Sequence, residues 1–367
     1  MKNCIRLCKR HWKALLGLGL IGTAAKLCLA LPYQPVQRLP AQIVDMHCHV
    51  AGIGAGGSGC FVSAKLKDSW KFDIYLKAFG VTRAEIESQG DALVADRISQ
   101  TLSRSRYVSK AVLLAMDGVV TDGRFDTNRT EVYVPNEFVA SVVARHTNLL
   151  FGASVNPYRP DALERLAWAK TNGAVLVKWI PSIMEIDPAD PRLEVFYRKM
   201  VELNLPLLTH AGQERSFSGA TDSYCDPGKL RYPLSLGVRV IAAHIASTGS
   251  YEGERSSERL ARLMPEHTNL FSEISSLTQI NKHFFLSEAL QESRFNGRLL
   301  YGTDFPLINT ALVSPWHYGL RLSGKQLWEM ARTENPWDKD VLLKHYLGTP
   351  AEVFARGGEW LSVPKSP

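Results

Sequence analysis

The chain has 367 residues, 45% of them apolar and 22% charged, the content of a globular protein with a full core and room for one large α/β barrel or two ordinary domains. Its formal charge of +7 is concentrated at one end. Residues 1–31 carry Lys2, Arg6, Lys9, Arg10, Lys13 and Lys26 with no acid, leaving 37 basic against 36 acidic residues elsewhere, so the body gives no electrostatic ground for nucleic-acid binding.

In chain order, the basic start runs into an apolar stretch, Ala14 to Ala25, which stops at Lys26 before Leu27–Leu31. This is the pattern of a signal peptide, or of a short signal anchor with Lys26 snorkelling, and it falls short of the ~20 residues of a membrane span. Residues 1–31 are therefore read as a signal peptide or anchor. The protein is expected to be exported, either periplasmic or extracellular or attached to a membrane by this segment. Cys28 follows Ala-Lys-Leu, without the small residue that a lipidation site needs just before the cysteine. Of six cysteines, Cys4, Cys8 and Cys28 lie here. Cys48, Cys60 and Cys225 remain, without zinc-site spacing; Cys48 reads as a buried thiol, and Cys60 and Cys225 fall in loops where they could pair outside the cytoplasm.

Residues 32–40 form a proline-bearing linker, and 41–360 a single barrel domain. From Ala41 apolar runs alternate with helical patterns, the signature of a parallel sheet. The runs are Ile43–Val50, Lys110–Met116, Leu149–Val155, Ala174–Ile180, Leu205–His210, Val238–His244, Asn269–Ser275 and Arg298–Asp304. Eight such runs are what a (β/α)8 TIM barrel requires. Amphipathic segments such as Asp161–Thr171 and Leu193–Leu203 lie between them. A long insertion, Ala51–Ser109, follows the first strand. Gly54, Gly56 and Gly59 within it make a literal G-x-G-x-x-G, but no apolar helix follows Cys60 and two histidines occupy the adjacent strand end, so a lid or rim loop is expected instead of a dinucleotide site.

The chemistry lies at the strand ends. In Ile43-Val44-Asp45-Met46-His47-Cys48-His49, the two histidines are two apart and aim at one point, with Cys48 facing the other way. Convergent imidazoles suit a divalent transition metal. The fifth run ends in His210, the sixth in His244 and the eighth in Asp304. In a parallel barrel all these ends meet at one face. His146, His267, His283, His317 and His345 lie in helices or leading loops and read as structural.

The ordered set D-M-H-C-H, L-P-L-L-T-H-A-G, V-I-A-A-H and L-Y-G-T-D-F-P resembles the amidohydrolase superfamily, and within it the amidohydrolase-related (aminocarboxymuconate-semialdehyde decarboxylase-like) branch. The match covers about residues 41 to 310, and a closing helix around Leu342–Ala355 is also similar. The resemblance implies His47, His49, His210 and Asp304 as metal ligands, with Asp304 also managing the proton of a metal-activated water. It implies His244 as an acid/base or electrostatic partner outside the ligand set. The expected cofactor is a divalent metal, zinc before others, with one ion favoured over two. Lys178 ends the fourth run. It is either a carboxylated bridge between two ions or, in the favoured reading, an ammonium beside substrate, Asp304 or Glu273. Arg215 and Glu273 are further candidates near substrate, and alternation alone leaves open which way Glu273 faces.

The expected activity is metal-dependent hydrolysis of an amide, lactone or ester in a small molecule. The alternatives are a metal-dependent non-oxidative decarboxylase, with Arg215 or Lys178 as the cation for a carboxylate, and a degenerate barrel that only binds. Specificity is expected from the loops Ala51–Ser109, Gly118–Asn136, Gln213–Leu230 and Thr248–Arg259.

Overall fold

The computed structural model describes residues 39–40, 42–217 and 219–361. The signal or anchor segment, and with it the expectations of export and membrane attachment, lies outside the described residues, as does most of the linker. Among the described residues no helix is long and apolar enough to cross a membrane.

Eight parallel strands form one sheet in sequence order: β1 (Ile43–His49), β2 (Val108–Leu114), β3 (Leu149–Ala153), β4 (Ala174–Trp179), β5 (Leu207–Thr209), β6 (Val240–Ala242), β7 (Leu270–Glu273) and β8 (Leu299–Leu300). Seven of the eight apolar runs contain one of them whole, and the run Lys110–Met116 overlaps β2, which starts two residues earlier at Val108. The seam between β8 and β1 is closed by backbone bonds beyond the short eighth strand. The amide of Met46 donates to Tyr301 O, that of Asp304 to His47 O, and that of His49 to Phe305 O at 2.9 Å. With helices between the strands, this is the (β/α)8 barrel that the alternating pattern predicts. The helices Ala162–Thr171 and Glu194–Glu202 fall within the two amphipathic segments named from sequence.

The core divides into two layers. Inside the barrel, Val44, Met46, Val112, Leu114, Leu176, Leu208, Ile241, Ala243 and Leu300 pack with Leu361. A larger cluster, to which Ile43, Cys48 and Trp337 belong, fills the space between strands and helices. One expectation needs correction. The closing helix around Leu342–Ala355 is two helices, Pro336–Tyr346 and Ala351–Trp360. Gly348, at φ +103°, and Pro350 interrupt the helical path between them, as glycine in the left-handed region followed by proline does. The second of these helices lies across the bottom of the barrel. Its Gly357 sits where a Cβ would come 3.2 Å from Val44 O, and Trp360 packs on Phe271.

The glycine-rich stretch, expected as a lid or rim loop, is built around a carboxylate. Asp91 accepts from the amides of Ile53 and Gly54, both at 2.9 Å, and from the Ser58 hydroxyl. The chain then enters the short strand Phe61–Val62, not a helix. Cys48, Cys60 and Cys225 are buried free thiols.

Candidate active site

A break in β1 aims the first two histidines. Val44 and Met46 face the barrel interior and Ile43 the helices, so unbroken alternation would turn His47 outward. A register shift between Asp45 and Cys48 interrupts it, and one extra residue in a strand reverses every side chain after it. His47 and His49 therefore point into the mouth and Cys48 stays in the outer layer. Asp45 fixes this geometry from behind. Its buried carboxylate accepts from the amides of His47 (3.1 Å) and Thr303 (3.0 Å), from the Thr303 hydroxyl (2.5 Å) and from Trp337 Nε1 (2.9 Å). Burial pushes this carboxyl up to about 6 against the pull of those four hydrogen bonds.

His244 also departs from simple alternation, since Ile241 and Ala243 face inward. His244, Ile245 and Ala246 hold φ values of +55°, +50° and +50°, a conformation costly for residues with side chains and characteristic of functional turns. The amide of His244 donates to Glu273 Oε1 at 3.0 Å, which pins the turn. Asp304, at φ +61°, makes a similar turn after β8.

At the mouth, three ligating atoms converge. His47 Nε2 lies 3.1 Å from His49 Nε2 and 3.4 Å from Asp304 Oδ1, and His49 Nε2 lies 3.1 Å from the same oxygen. Ligands held ~2.1 Å from one divalent ion are separated by roughly 3.0–3.4 Å in octahedral or tetrahedral arrangement, so this triangle has the dimensions of a face around a metal. Glu273 settles the orientation of His47. It faces inward, is fully buried, and its Oε1 lies 3.1 Å from His47 Nδ1. The Nδ1 proton goes to that carboxylate, leaving Nε2 as the free donor pair, as imidazole ligands generally require. Burial, and then the charge of Lys178, hold His47 well below its usual value. Burial raises the Asp304 carboxyl, but His47, His244 and His49 around it pull it well below the carboxylate range. Neutral imidazole and ionised carboxylate are the forms that bind metal.

The other predicted residues share this pocket in different ways. His210 is buried and its Nε2 has no hydrogen-bond partner among the described residues, although Glu214 Oε2 lies 3.5 Å away. An orphaned imidazole nitrogen aimed into a polar pocket is compatible with metal ligation, yet His210 is not in the tight triangle of His47, His49 and Asp304. Lys178 is 1% exposed, and its Nζ lies 3.1 Å from His47 Nε2. Burial brings its ammonium down to about 8 against the opposing charges of Asp304, Glu273 and Glu214. Arg215 is exposed at the rim, donating to Gln213. His244 stacks on His47 with ring centroids 5.0 Å apart, and its Nε2 is 3.9 Å from Asp304 Oδ2.

Sequence reasoning missed several groups. Ser275 Oγ bridges Glu273 Oε1 (2.8 Å) and His244 Nδ1 (2.7 Å), and Ser276 donates to Asp304 Oδ2 at 2.5 Å. Ser275 ends the seventh run and Ser276 follows it, and a polar pair at a strand end was the available signal. Glu214, one helical turn's spacing after His210, carried another. The cavity of about 360 Å³ also takes Phe72, Tyr75 and Phe79 from the insertion and Lys282 and Leu312 from the loops after β7 and β8. Those last two loops were absent from the expected specificity set. Of the four named loops, the insertion and Gln213–Leu230 supply most of their share of the lining, and Val132 and Thr248 represent the other two.

Fold and site together define a (β/α)8 barrel with a candidate metal centre at the carboxyl ends of its strands. The Amidohydrolase family model matches residues 44–356, well over half of the chain, and the protein belongs to that family, whose members are metal-dependent enzymes. The resemblance drawn from the sequence motifs holds at that level. A search of curated proteins found no match. Among solved structures, the chain is similar to an uncharacterized TIM-barrel protein from Bordetella bronchiseptica (13% identity, 83% of this chain and 99% of that one, TM-score 0.49). It is also similar to dihydroorotase from Campylobacter jejuni (14% identity, 92% and 88%, TM-score 0.45). A third is 5-carboxyvanillate decarboxylase from Sphingomonas paucimobilis (12% identity, 86% and 99%, TM-score 0.43).

Proposed function

We propose that this chain is a divalent-metal-dependent hydrolase of an amide, lactone or ester bond in a small molecule. The observation that carries the reading is the 3.1–3.4 Å triangle of His47 Nε2, His49 Nε2 and Asp304 Oδ1 at the barrel mouth. In this reading those three residues hold the ion, with His210 as the further ligand. A bound divalent ion, zinc being the one favoured for this donor set, polarises a carbonyl and brings the pKa of water near 7. The chain's own groups handle the proton. Asp304 takes it from the attacking water and delivers it to the leaving group, while the Ser276 hydroxyl on Oδ2 keeps the carboxylate oriented. Ser275 donates to Glu273 and so accepts the Nδ1 proton of His244. The neutral ring, held below its usual value first of all by burial, then turns its Nε2 lone pair towards Asp304. When the water's proton is shared from Asp304 Oδ2 to His244 Nε2, 3.9 Å away, the ring can donate to the oxyanion before that same proton passes to the leaving group.

The test is a panel of lactones, amides and esters given to metal-loaded protein, with the acid product followed by chromatography. Cleavage of some members supports hydrolysis. Carbon dioxide release from carboxylated aromatics, with every acyl substrate untouched, overturns it in favour of non-oxidative decarboxylation. That second reading has its own support in two lysines, Lys178 and Lys282, lining one pocket.

The reading includes one ion per chain, with Lys178 as an ammonium beside substrate. Elemental analysis should give about one divalent ion, retained in Lys178→Ala. Two ions, both lost in that variant and recovered with short carboxylates, would establish Lys178 as a bridge instead. Export rests on the sequence of residues 1–31; fractionation that finds the intact chain wholly in the cytosol removes it.

A further inference from the structure

The pocket contains a cation that the hydrolytic chemistry above does not use. Lys282 ends the 3-10 turn Ile280–Lys282 in the loop after β7, is half-buried, and lines the cavity. Among the described residues its ammonium has neither an ion-pair partner within 4 Å nor a hydrogen-bond acceptor, in contrast to Lys178 against His47 and Arg215 against Gln213. The turn that carries it is tied to the catalytic carboxylate. The Lys282 amide donates to Gln279 O at 2.8 Å, Gln279 Nε2 donates to Ser276 Oγ at 2.7 Å, and Ser276 donates to Asp304. Its charge reaches the site in both directions. Burial lowers the Lys282 ammonium while Asp304, Glu214 and Glu273 raise it, and its charge in turn contributes to lowering His210 and His244.

A lysine drawn out of water without a counter-charge is costly unless a ligand supplies one. The rest of the cavity says what kind of ligand. The insertion contributes Phe72, Tyr75 and Phe79, the loop after β5 contributes Phe217, and the loop after β8 contributes Leu307 and Leu312. These make an apolar, largely aromatic wall with a few placed polar groups opposite, the usual composition of a small-molecule site. A ligand filling it has a compact apolar body and presents one anionic group to the β7 loop.

We propose that Lys282 anchors a free carboxylate on the substrate, which is an ester, lactone or amide carrying that carboxylate on an aromatic or alicyclic body. This deepens the hydrolase reading and rests on it for the identity of the scissile bond. The carboxylate on Lys282 is a recognition group and is not cleaved. Lys282 is a specificity residue, not a catalytic one.

The experiment has a binding arm and a turnover arm, both on metal-loaded full-length protein. In the first, calorimetry compares aromatic carboxylates with their carboxamides, the pair benzoate and benzamide being the smallest. Wild type should prefer the carboxylate, and Lys282→Met should lose that preference by roughly 10- to 100-fold, the effect of one charge-assisted hydrogen bond. Lys282→Arg should keep most of it. A carboxylate resting on the metal alone would leave the preference intact in Lys282→Met, and that result overturns the proposal, as does a wild type that shows no preference. The second arm measures kcat/KM for phenyl acetate and 4-acetoxybenzoate, and the ratio between them should fall by the same factor in Lys282→Met. Carboxylate preference through Lys282 with neither ester, nor any member of the acyl panel, cleaved overturns the hydrolase reading alone. Cleavage of both esters with a ratio unchanged in Lys282→Met overturns the Lys282 assignment alone.

Discussion

The two ends of the barrel are made by the same eight strands and obey opposite rules. At the amino end, Val44, Met46, Val112, Leu176, Ile241 and Leu300 meet Leu361 from the closing segment in an apolar, close-packed layer. At the carboxyl end, a few residues further along the same strands, His47, Lys178, His210, His244 and Asp304 are buried in the lining of one pocket, with Glu273 buried behind His47 and His244. The first end gains stability from excluding water. The second gives some of it up, since it gathers ionisable groups whose charges are only partly matched and holds His244, Ser276 and Asp304 in left-handed conformations. Removing a side chain should therefore cost activity at one end and stability at the other.

The largest effect is expected at the carboxyl end. Asp304→Asn should lower turnover by ~10²–10⁴-fold and weaken metal binding. His244→Ala should depress turnover while keeping the ion, read by elemental analysis; loss of the ion would make His244 a ligand. At the amino end, Phe354 is fully buried, with its ring 5.3 Å from that of Tyr301. Phe354→Ala should cost about 3–5 kcal/mol in denaturant unfolding, with the activity of the folded fraction unchanged. An activity loss beyond the folded fraction would show that the two ends are coupled.

Metal removal sharpens the comparison further. If the ion binds only the folded chain, ion at 100 times its dissociation constant adds about 2.7 kcal/mol, so chelation should lower the melting temperature of wild type and of Phe354→Ala alike. A site outside the comparison should do least. The Arg198–Glu194 pair is exposed on its helix, and Arg198→Ala should change stability by about 0.5 kcal/mol or less.

Most of the strand framework was legible because every barrel strand is a short apolar run between amphipathic segments. The convergence of His47 and His49 was legible because they lie two apart. The β1 register shift that makes them face inward was not, since nothing in Asp45-Met46-His47 marks a shift whose cause is a carboxylate holding Thr303 and Trp337 from hundreds of residues away. Glu273 could not be oriented from alternation, because its direction is fixed by contacts with His47, His244 and Ser275. Lys282 and Tyr75 were invisible for a different reason. Lys282 ends a turn in the loop after β7 and Tyr75 lies on a helix of the insertion, and only the folded path brings either of them to the mouth. The single closing helix was misread because its apolar positions continue in phase across Gly348 and Pro350.

The pocket draws its parts from the chain very unevenly. His47, Lys178, His210, His244, Glu273 and Asp304 come from six different strands or their ends, so no local exchange of sequence can replace them together. The aromatic wall from Phe72, Tyr75 and Phe79 lies on one ten-residue helix, Trp70–Phe79. It is held by Phe72, Leu76 and Phe79 in the outer core, Phe79 packing edge-on to Phe305, and by Asn309 Nδ2 donating to Ala78 O at 2.8 Å. The aromatic share of substrate preference thus lies on one contiguous segment, while reactivity is a dispersed set. A descendant of this chain could change what it accepts by replacing a single segment while its chemistry passed on untouched.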